Sequence, residues 1–204
     1  MSLLPDSTAT AAQNFINSVT ADCPEELLAS ARRKGAINLL VVRASAALPM
    51  EAAFNAYQAG IANPVLVGEG KIIRTEAEKL GWDLSDITII EATGEEEAAL
   101  MSAGLLREGL QDGVPLPIGA VMKGQLHTDV FMASLLSRDI GLRIGNRLVH
   151  VFAIYPPENR AGPILVSDAA VNVQPDEKTQ NQSMIEMCAL AKKLGQSRPK
   201  LAIL

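Results

Sequence analysis

Hydrophobic positions along the chain follow two alternating spacings, and this alternation predicts the order of its elements. Short apolar runs typical of buried strands occur at 36–42, 64–68, 87–90 and 116–122. Between them, segments such as 49–59 and 69–80 carry apolar residues at helical spacing. Strands separated by helices indicate a mainly parallel sheet, because a parallel crossover needs a helix's worth of chain. We therefore predict a three-layer α/β fold with helices on both faces of the sheet.

Several helix starts are also predicted from the sequence. Thr93 opens a helix, and Glu96, three residues later, completes a capping box. The acidic run Glu95–Glu97 is interpreted as a solvated helix start. Thr128 or Asp129 is predicted to cap the helix that runs to Leu136. Two further helices, at 7–18 and from Pro24 onward, form an N-terminal lead-in.

The pattern changes after Leu142. Runs at 148–155 and 164–167 are predicted to be antiparallel strands, because the loop between them is too short for a helical crossover. A long helix follows at 176–194, and the chain closes on a strand-like run at 199–204. We expect a helical lead-in at 1–35, a first α/β domain at 36–142 and the start of a second α/β domain at 143–204. Because domains seldom end on an apolar strand, we expect either that the chain is the N-terminal portion of a longer protein or that its second domain is incomplete.

Composition narrows the class of protein. A length of 204 residues with 48% hydrophobic residues supports one good-sized domain, or one domain and part of another. The net charge is −5, and the longest basic cluster is Arg32-Arg33-Lys34, which argues against a nucleic-acid partner. No apolar run approaches a membrane span and no signal peptide is evident, so we expect a cytoplasmic protein without a membrane partner. The two cysteines are far apart and predict neither a disulfide framework nor a zinc site.

The stretch Val121–Asp129 has the composition of an anion-binding loop. Gly124 lets the backbone approach a ligand, Lys123 supplies a point charge, and His127 and Thr128 supply hydrogen-bond donors. The alternative is an ordinary turn with a solvated lysine and a capping threonine. His127 is either a general base or a structural histidine.

Two further groups of polar residues are candidates. Arg143 lies between Arg138 and Arg147, and arginine suits phosphate oxygens, although simple solvation of these side chains is the alternative. Asp168 and Asn172 follow a predicted strand, where they either orient a ligand or pin the turn. The structural role is favoured for this pair, because Asp and Asn often bond to nearby backbone.

The order of these segments resembles the phosphate acetyltransferase and phosphate butyryltransferase family, with the closer likeness to the butyryltransferase branch. The similarity extends over nearly the whole chain after the lead-in. The resemblance is carried by the segments Gly60–Gly68, Leu126–Thr128 within 121–130, Gly141–Arg143, Val149–Phe152, Ser167–Pro175 and Pro199–Leu204.

The resemblance implies a two-domain architecture like that of the isocitrate dehydrogenase group, with the active site in the cleft between the domains. It implies reversible reaction of acyl-CoA with phosphate to give acyl phosphate and coenzyme A, by direct transfer without a metal, a further cofactor or a covalent enzyme intermediate. A homodimer or other homo-oligomer is expected by the same likeness.

The same resemblance assigns roles residue by residue. Lys123, Gly124, His127 and Thr128 would form the phosphate side of the cleft. Arg143 would neutralise charge, and Asp168 with Asn172 would shape the wall of the second domain.

The likeness also contains a departure. Family members continue past a position such as Leu204, and the continuing segment carries the Ser-Arg pair and the Asp regarded as central to catalysis. A chain ending at Leu204 is therefore expected to be inactive or nearly so. The alternative is a non-catalytic ligand-binding or partner domain that keeps the acyltransferase fold. A dehydrogenase is disfavoured, because neither a metal-binding carboxylate cluster nor a dinucleotide fingerprint is present.

Overall fold

The computed structural model describes residues 23–203, apart from 112, 141–146, 156–161, 169, 170 and 173. The helix predicted at 7–18 lies outside the described residues. The helices are α1 Glu25–Lys34, α2 Ala47–Gln58, α3 Gly70–Leu80, α4 Gly94–Glu108, α5 Thr128–Leu135 and α6 Glu177–Lys193, with a 3-10 turn at Arg138–Ile140. The strands are β1 Ile37–Val42, β2 Ala62–Gly68, β3 Thr88–Glu91, β4 Leu110–Gln111, β5 Val114–Pro115, β6 Ala120–Lys123, β7 Phe152–Ile154 and β8 Ile164–Val166.

Four of the strands form a parallel sheet in the order β3-β2-β1-β6. Leu40 in the central strand β1 is paired with Val65 of β2 on one side and Val121 of β6 on the other. The chain moves outward from β1 through β2 to β3 and then returns to the far side of β1. The order of strands therefore reverses between β1 and β6, and ligands of open α/β sheets bind at such a switch point, outside the carboxyl ends of the strands.

Helices cover both faces of this sheet, as predicted. Alternate residues of β1 point to opposite faces. Val41 packs with Met50 of α2 and Ile73 of α3. Leu40 and Val42 pack on the other face in a cluster that includes Ala98 of α4. Burying a side chain the size of Leu, Ile or Met contributes about 1.5–3 kcal/mol, so these two apolar layers fix the sheet and hold its carboxyl edge in place.

The apolar run at 116–122 forms a strand only from Ala120 onward. A short hairpin of β4 and β5 precedes it, and Leu116 and Ile118 pack against the core without joining the ladder. Pro115 and Pro117 explain the shorter strand, because proline has no N–H to donate to a neighbouring strand.

The predicted strand at 199–204 is wrong over the part that the structure describes, because residues 199–203 adopt no regular secondary structure. A strand requires a hydrogen-bonded neighbour. Within the described ranges, β8 is paired with β7 and residues 199–203 are paired with no strand.

The two predicted caps agree with the structure only in part, since the position of Thr93 is confirmed and its predicted partner is not. Thr93 is the residue before α4, but Glu97 accepts from its N–H at 2.7 Å, so Glu96 does not complete a capping box. Helix α5 begins at Thr128, which places His127 at the cap and leaves Thr128 and Asp129 inside the first turn. The apolar pattern locates this helix but does not fix its first residue.

The later part of the chain follows the predicted order. Strands β7 and β8 pair antiparallel, with Phe152 opposite Val166. Helix α6 begins after Asp176, whose carboxylate accepts from the N–H of Thr179 at 2.8 Å. Among the described residues, no helix is both long and apolar enough to cross a membrane. The division at residues 142 and 143 stays a prediction.

Candidate functional site

The loops that follow β1 and β6 meet at the switch point of the sheet. The N–H of Gly124 donates to the carbonyl oxygen of Val42 at 2.9 Å, and the N–H of Gln125 donates to that of Arg43 at 2.8 Å. A Cβ on Gly124 would overlap both carbonyl oxygens. Glycine is therefore required here for the close approach of two backbones.

Arg43 connects three segments at this edge, although the sequence patterns did not single it out. Its backbone has a φ of +58°, a left-handed conformation that costs a residue with a Cβ about 1–2 kcal/mol. The guanidinium lies 3.3 Å from Glu69 Oε1 and 3.2 Å from Glu95 Oε1, and it donates to the carbonyl oxygen of Gln125 at 2.9 Å. Charged hydrogen bonds of this kind offset the backbone cost.

Glu69, directly after β2, is the most strongly perturbed acid of the site. Partial burial raises the pKa of its carboxyl, but hydrogen bonds from Ser45, the Gly94 N–H, its own backbone N–H and Arg43 lower the pKa further, to about 2. The Gly94 bond measures 3.0 Å. Glu69 is therefore ionised at neutral pH and bonded to the first residue of α4.

Glu95 joins the start of α4 to the start of α5. It accepts from the backbone N–H of His127 at 2.8 Å, and its two oxygens lie 2.8 and 3.0 Å from His127 Nδ1. The bond from the His127 backbone and that from its ring lower the pKa of Glu95. The interpretation of this acidic turn as merely solvated is therefore wrong for Glu95, whose side chain is 24% exposed, and for Glu97, which caps α4.

His127 is the exposed end of this arrangement, with 79% of its side chain accessible. The hydrogen bond and the negative charge of Glu95 raise its pKa. A carboxylate can only accept hydrogen bonds, so Nδ1 carries a proton and Nε2 is left to gain or lose one. We call Glu69, Arg43, Glu95 and His127 the charge network.

The structure brings Lys123 and Thr128 to the same loop. The ammonium of Lys123, at the end of β6, donates to the carbonyl oxygens of Leu126 at 2.7 Å and Gly124 at 3.4 Å, which ties the loop to the end of its strand. Thr128 is the exposed first residue of α5.

Carboxylates bond at three helix starts of this edge, but at the third start the bond reaches only the cap residue. The Gly70 N–H at the start of α3 donates to Glu91 at 3.1 and 3.2 Å, and the Gly94 N–H at the start of α4 donates to Glu69. At the start of α5, Glu95 bonds the N–H of the cap residue His127, and among the described residues no side chain bonds the N–H groups of residues 128–130. These N–H groups have no partner within the helix and carry the positive end of the helix dipole, an arrangement suited to an anion.

Asp168 and Asn172 come together in the later part of the chain. Asp168 accepts from the N–H of Val171 at 3.1 Å and from the amide of Asn172, which also donates to the carbonyl oxygen of Leu148 at 3.0 Å. These contacts pin the turn. Asp168 also lines a cavity of about 500 Å³ together with residues 200–203.

Arg143 lies outside the described residues. Its neighbour Arg147 forms an exposed ion pair with Asp176 at 3.7 Å. Within the described ranges, no three His, Cys, Asp or Glu side chains are grouped to hold a metal ion.

Comparison with known proteins finds relatives of this chain among named enzymes. No protein-family model matches the chain. The chain is 31% identical over 153 residues to a phosphate butyryltransferase of Clostridium acetobutylicum, a match covering 75% of this chain and 48% of the relative. It is 28% identical over 180 residues to a phosphate acetyltransferase of Rhizobium meliloti, covering 88% and 54%. The chain is a relative of the phosphate butyryl- and acetyltransferases.

These relatives are transferases, and the chain spans about half the length of the two curated proteins. Among solved structures, it matches the EutD phosphotransacetylase of Staphylococcus aureus with a TM-score of 0.62 and 15% identity, covering 86% of this chain and 59% of that one. At this identity the match shows a shared fold, and it agrees with the predicted α/β class.

In this relative of the phosphate acyltransferases, the sequence patterns located the loop after β6 but not the residues that hold the loop in place. Arg43 and Glu69 each follow a buried strand of the same sheet, a position that brings side chains to one edge. The position directly after a buried strand is therefore the sequence signal that could have identified Arg43 and Glu69. The role of Glu95 is not visible in the sequence, because its partners Arg43 and His127 lie 52 and 32 positions away.

Proposed function

We propose that the protein transfers an acyl group between coenzyme A and phosphate at the carboxyl edge of β1 and β6. The reaction is acyl-CoA plus phosphate giving acyl phosphate plus coenzyme A. The observation that carries the proposal is the first turn of α5 at the switch point of the sheet, beside Lys123. Glu95 bonds only its cap residue His127, which leaves the N–H groups that follow available to an anion. The kinship with phosphate butyryl- and acetyltransferases supports the same reaction.

The phosphate is assigned to the start of α5. Backbone N–H groups of the first turn and the hydroxyl of Thr128 would donate to its oxygens. Lys123 would add positive charge by exchanging its bond with the Leu126 carbonyl oxygen for one with phosphate. Gly124 holds the loop against β1, so that these donors keep their positions.

The reaction requires two anionic substrates to be held close together while negative charge develops on the thioester oxygen. His127 would carry the proton, because its pKa is raised from a value near neutrality.

Asp168 and Asn172 are proposed to shape a second wall, and Arg143 to neutralise charge, across a cleft between two domains. Coenzyme A takes part as substrate or product, and no metal or further cofactor is proposed. The homodimer and the cytoplasmic location belong to the same proposal.

The reaction is tested by measuring free thiol released from acetyl-CoA or butyryl-CoA, with and without added phosphate. The assay uses the protein encoded by the complete reading frame. Release that saturates with phosphate is the expected result. Phosphate binding without any thiol release would contradict the proposal and favour a ligand-binding module.

The phosphate assignment is tested by replacing Lys123 or Thr128 with Ala. Each substitution removes a donor to phosphate, so KM for phosphate is expected to rise more than KM for acyl-CoA. Lys79→Ala is the control, because Lys79 is an exposed lysine in the last turn of α3 that pairs with Glu76. Equal changes in both KM values would remove the loop from the assigned role.

A further inference from the structure

The imidazole of His127 is held on one side and exposed on the other. Nδ1 and the backbone N–H of this residue both bond to Glu95, at 2.8 Å for the shorter contacts. The ring cannot turn over without losing its bond to the carboxylate. Because the Nδ1 proton is held by Glu95, titration of the ring takes place at Nε2.

Glu95 is itself restrained by the rest of the charge network. Arg43 bonds to Glu95 and also to Glu69, which accepts from the N–H of the residue preceding Glu95. The side chains of these three residues are only 20–24% exposed, whereas that of His127 is 79% exposed. The network therefore runs from anchored ions inside the edge of the sheet to a single exposed imidazole.

We propose that Glu95 is the positioning residue for His127, holding its ring so that Nε2 stays free beside the first turn of α5 and moves the proton of the acyl transfer. Arg43 and Glu69 keep Glu95 in place. This role rests on the proposed phosphate acyltransferase function, and it adds to it three residues that the loop after β6 does not contain.

The proton balance shows why such a group is needed. A phosphate oxygen attacks the thioester carbonyl carbon, a C–O bond forms, and the C–S bond breaks with its electron pair going to sulfur. Protonated Nε2 gives its proton to the departing thiolate, and the neutral ring then takes the proton that hydrogen phosphate loses. The products are acyl phosphate and the coenzyme A thiol, and the imidazole ends as it began.

The charges around His127 act in opposite directions. Glu95 on α4 and Asp129 on α5 raise the pKa of the ring, whereas Lys123 at the end of β6 lowers it. Removing the charge of Glu95 leaves Asp129 and Lys123 opposing each other. The pKa of His127 is then expected to fall toward its ordinary value.

The positioning is tested by proton NMR titration of the histidine ring signals. The chain has two histidines, so His127→Gln identifies the His127 resonance by its loss. Glu95→Gln is expected to lower the pKa of His127. Glu96→Gln is the matched control, since Glu96 is an exposed acid in the same first turn, and it should leave that pKa unchanged. Glu95→Asp gives a second measurement if Glu95→Gln fails to fold, with a smaller shift in the same direction.

The catalytic consequence is read from the dependence of kcat on pH. His127→Gln is expected to lower kcat about 100-fold or more, and Glu95→Gln about tenfold, with the histidine limb of the profile moved to lower pH. An unchanged His127 titration in Glu95→Gln, or a lower kcat with an unmoved profile, would overturn the positioning role. A wild-type protein without phosphate-dependent thiol release would instead contradict the proposed function, whatever the titration shows.

Discussion

At the scale of single residues, Glu69 makes the stability of the sheet edge depend on pH. Its pKa of about 2 lies below the ordinary value of 4.5. A carboxyl with a depressed pKa stabilises the fold fully above the ordinary value, and this stabilisation is lost as pH falls toward the folded value. The loss is therefore expected between pH 4.5 and about 2.

Glu69→Gln is expected to lower the free energy of unfolding at pH 7 by about 1–3 kcal/mol, because Arg43 and the Gly94 N–H lose a charged acceptor. The difference from wild type should be smaller at pH 3. Urea denaturation at both pH values measures it. Glu78→Gln, at an exposed position of α3, is the control and should change stability by less than about 0.5 kcal/mol. An equal loss at both pH values would contradict the assignment.

Gly124 provides a second test at this scale. In Gly124→Ala the new methyl group overlaps the carbonyl oxygens of Val42 and Arg43, so we expect a loss of about 1–3 kcal/mol. Gly104→Ala in α4 is the matched control, because open space surrounds that position and alanine favours a helix by about 0.5–1 kcal/mol. Thermal or urea unfolding of the two variants should therefore change in opposite directions. Equal stability in Gly124→Ala and wild type would show that the two backbones are not in close contact.

At the scale of elements, the spacing of apolar residues predicted most helices and strands, because it shows which side of each element is buried. It failed at 116–122 and 199–203, where residues are apolar but proline or the lack of a neighbouring strand prevents a ladder. Spacing also cannot show which side chains meet after folding. Arg43 and Glu95 are separated by 52 positions, and only the parallel sheet brings them together. The loop after β6 was predictable because its polar residues are close together in the sequence. The charge network was not, because its residues come from distant segments.

Helix α6 offers an element-scale prediction. Asp176→Ala removes the acceptor for the N–H of Thr179 and is expected to lower the urea midpoint, because the first turn of α6 loses its cap. Asp176→Asn is the control, because asparagine keeps a capping oxygen and should recover most of that loss. The measurement is the urea midpoint of the three proteins. Identical losses in both variants would place the effect in the charge of Asp176, which pairs with Arg147, and not in the cap.

At the scale of the whole molecule, the strand order β3-β2-β1-β6 determines where chemistry can occur. Carboxylates bond the starts of α3 and α4, so these positions are closed to an added anion. At the start of α5, on the other side of the switch point, Glu95 bonds only the cap residue His127, and the N–H groups that follow it have no side-chain partner among the described residues. We therefore propose that a negatively charged ligand binds at the loop after β6, which the sequence also singles out.

The most direct measurement of this central claim is the change in backbone amide chemical shifts when inorganic phosphate is added to the ¹⁵N-labelled 204-residue chain. We expect saturable shifts that are largest at residues 127–130 and extend to Lys123 and Gly124. Thr128→Ala should weaken them, while Lys79→Ala should not. Shifts centred on residues 200–203, or no saturable shift at the start of α5, would contradict the assignment of this edge as the phosphate site.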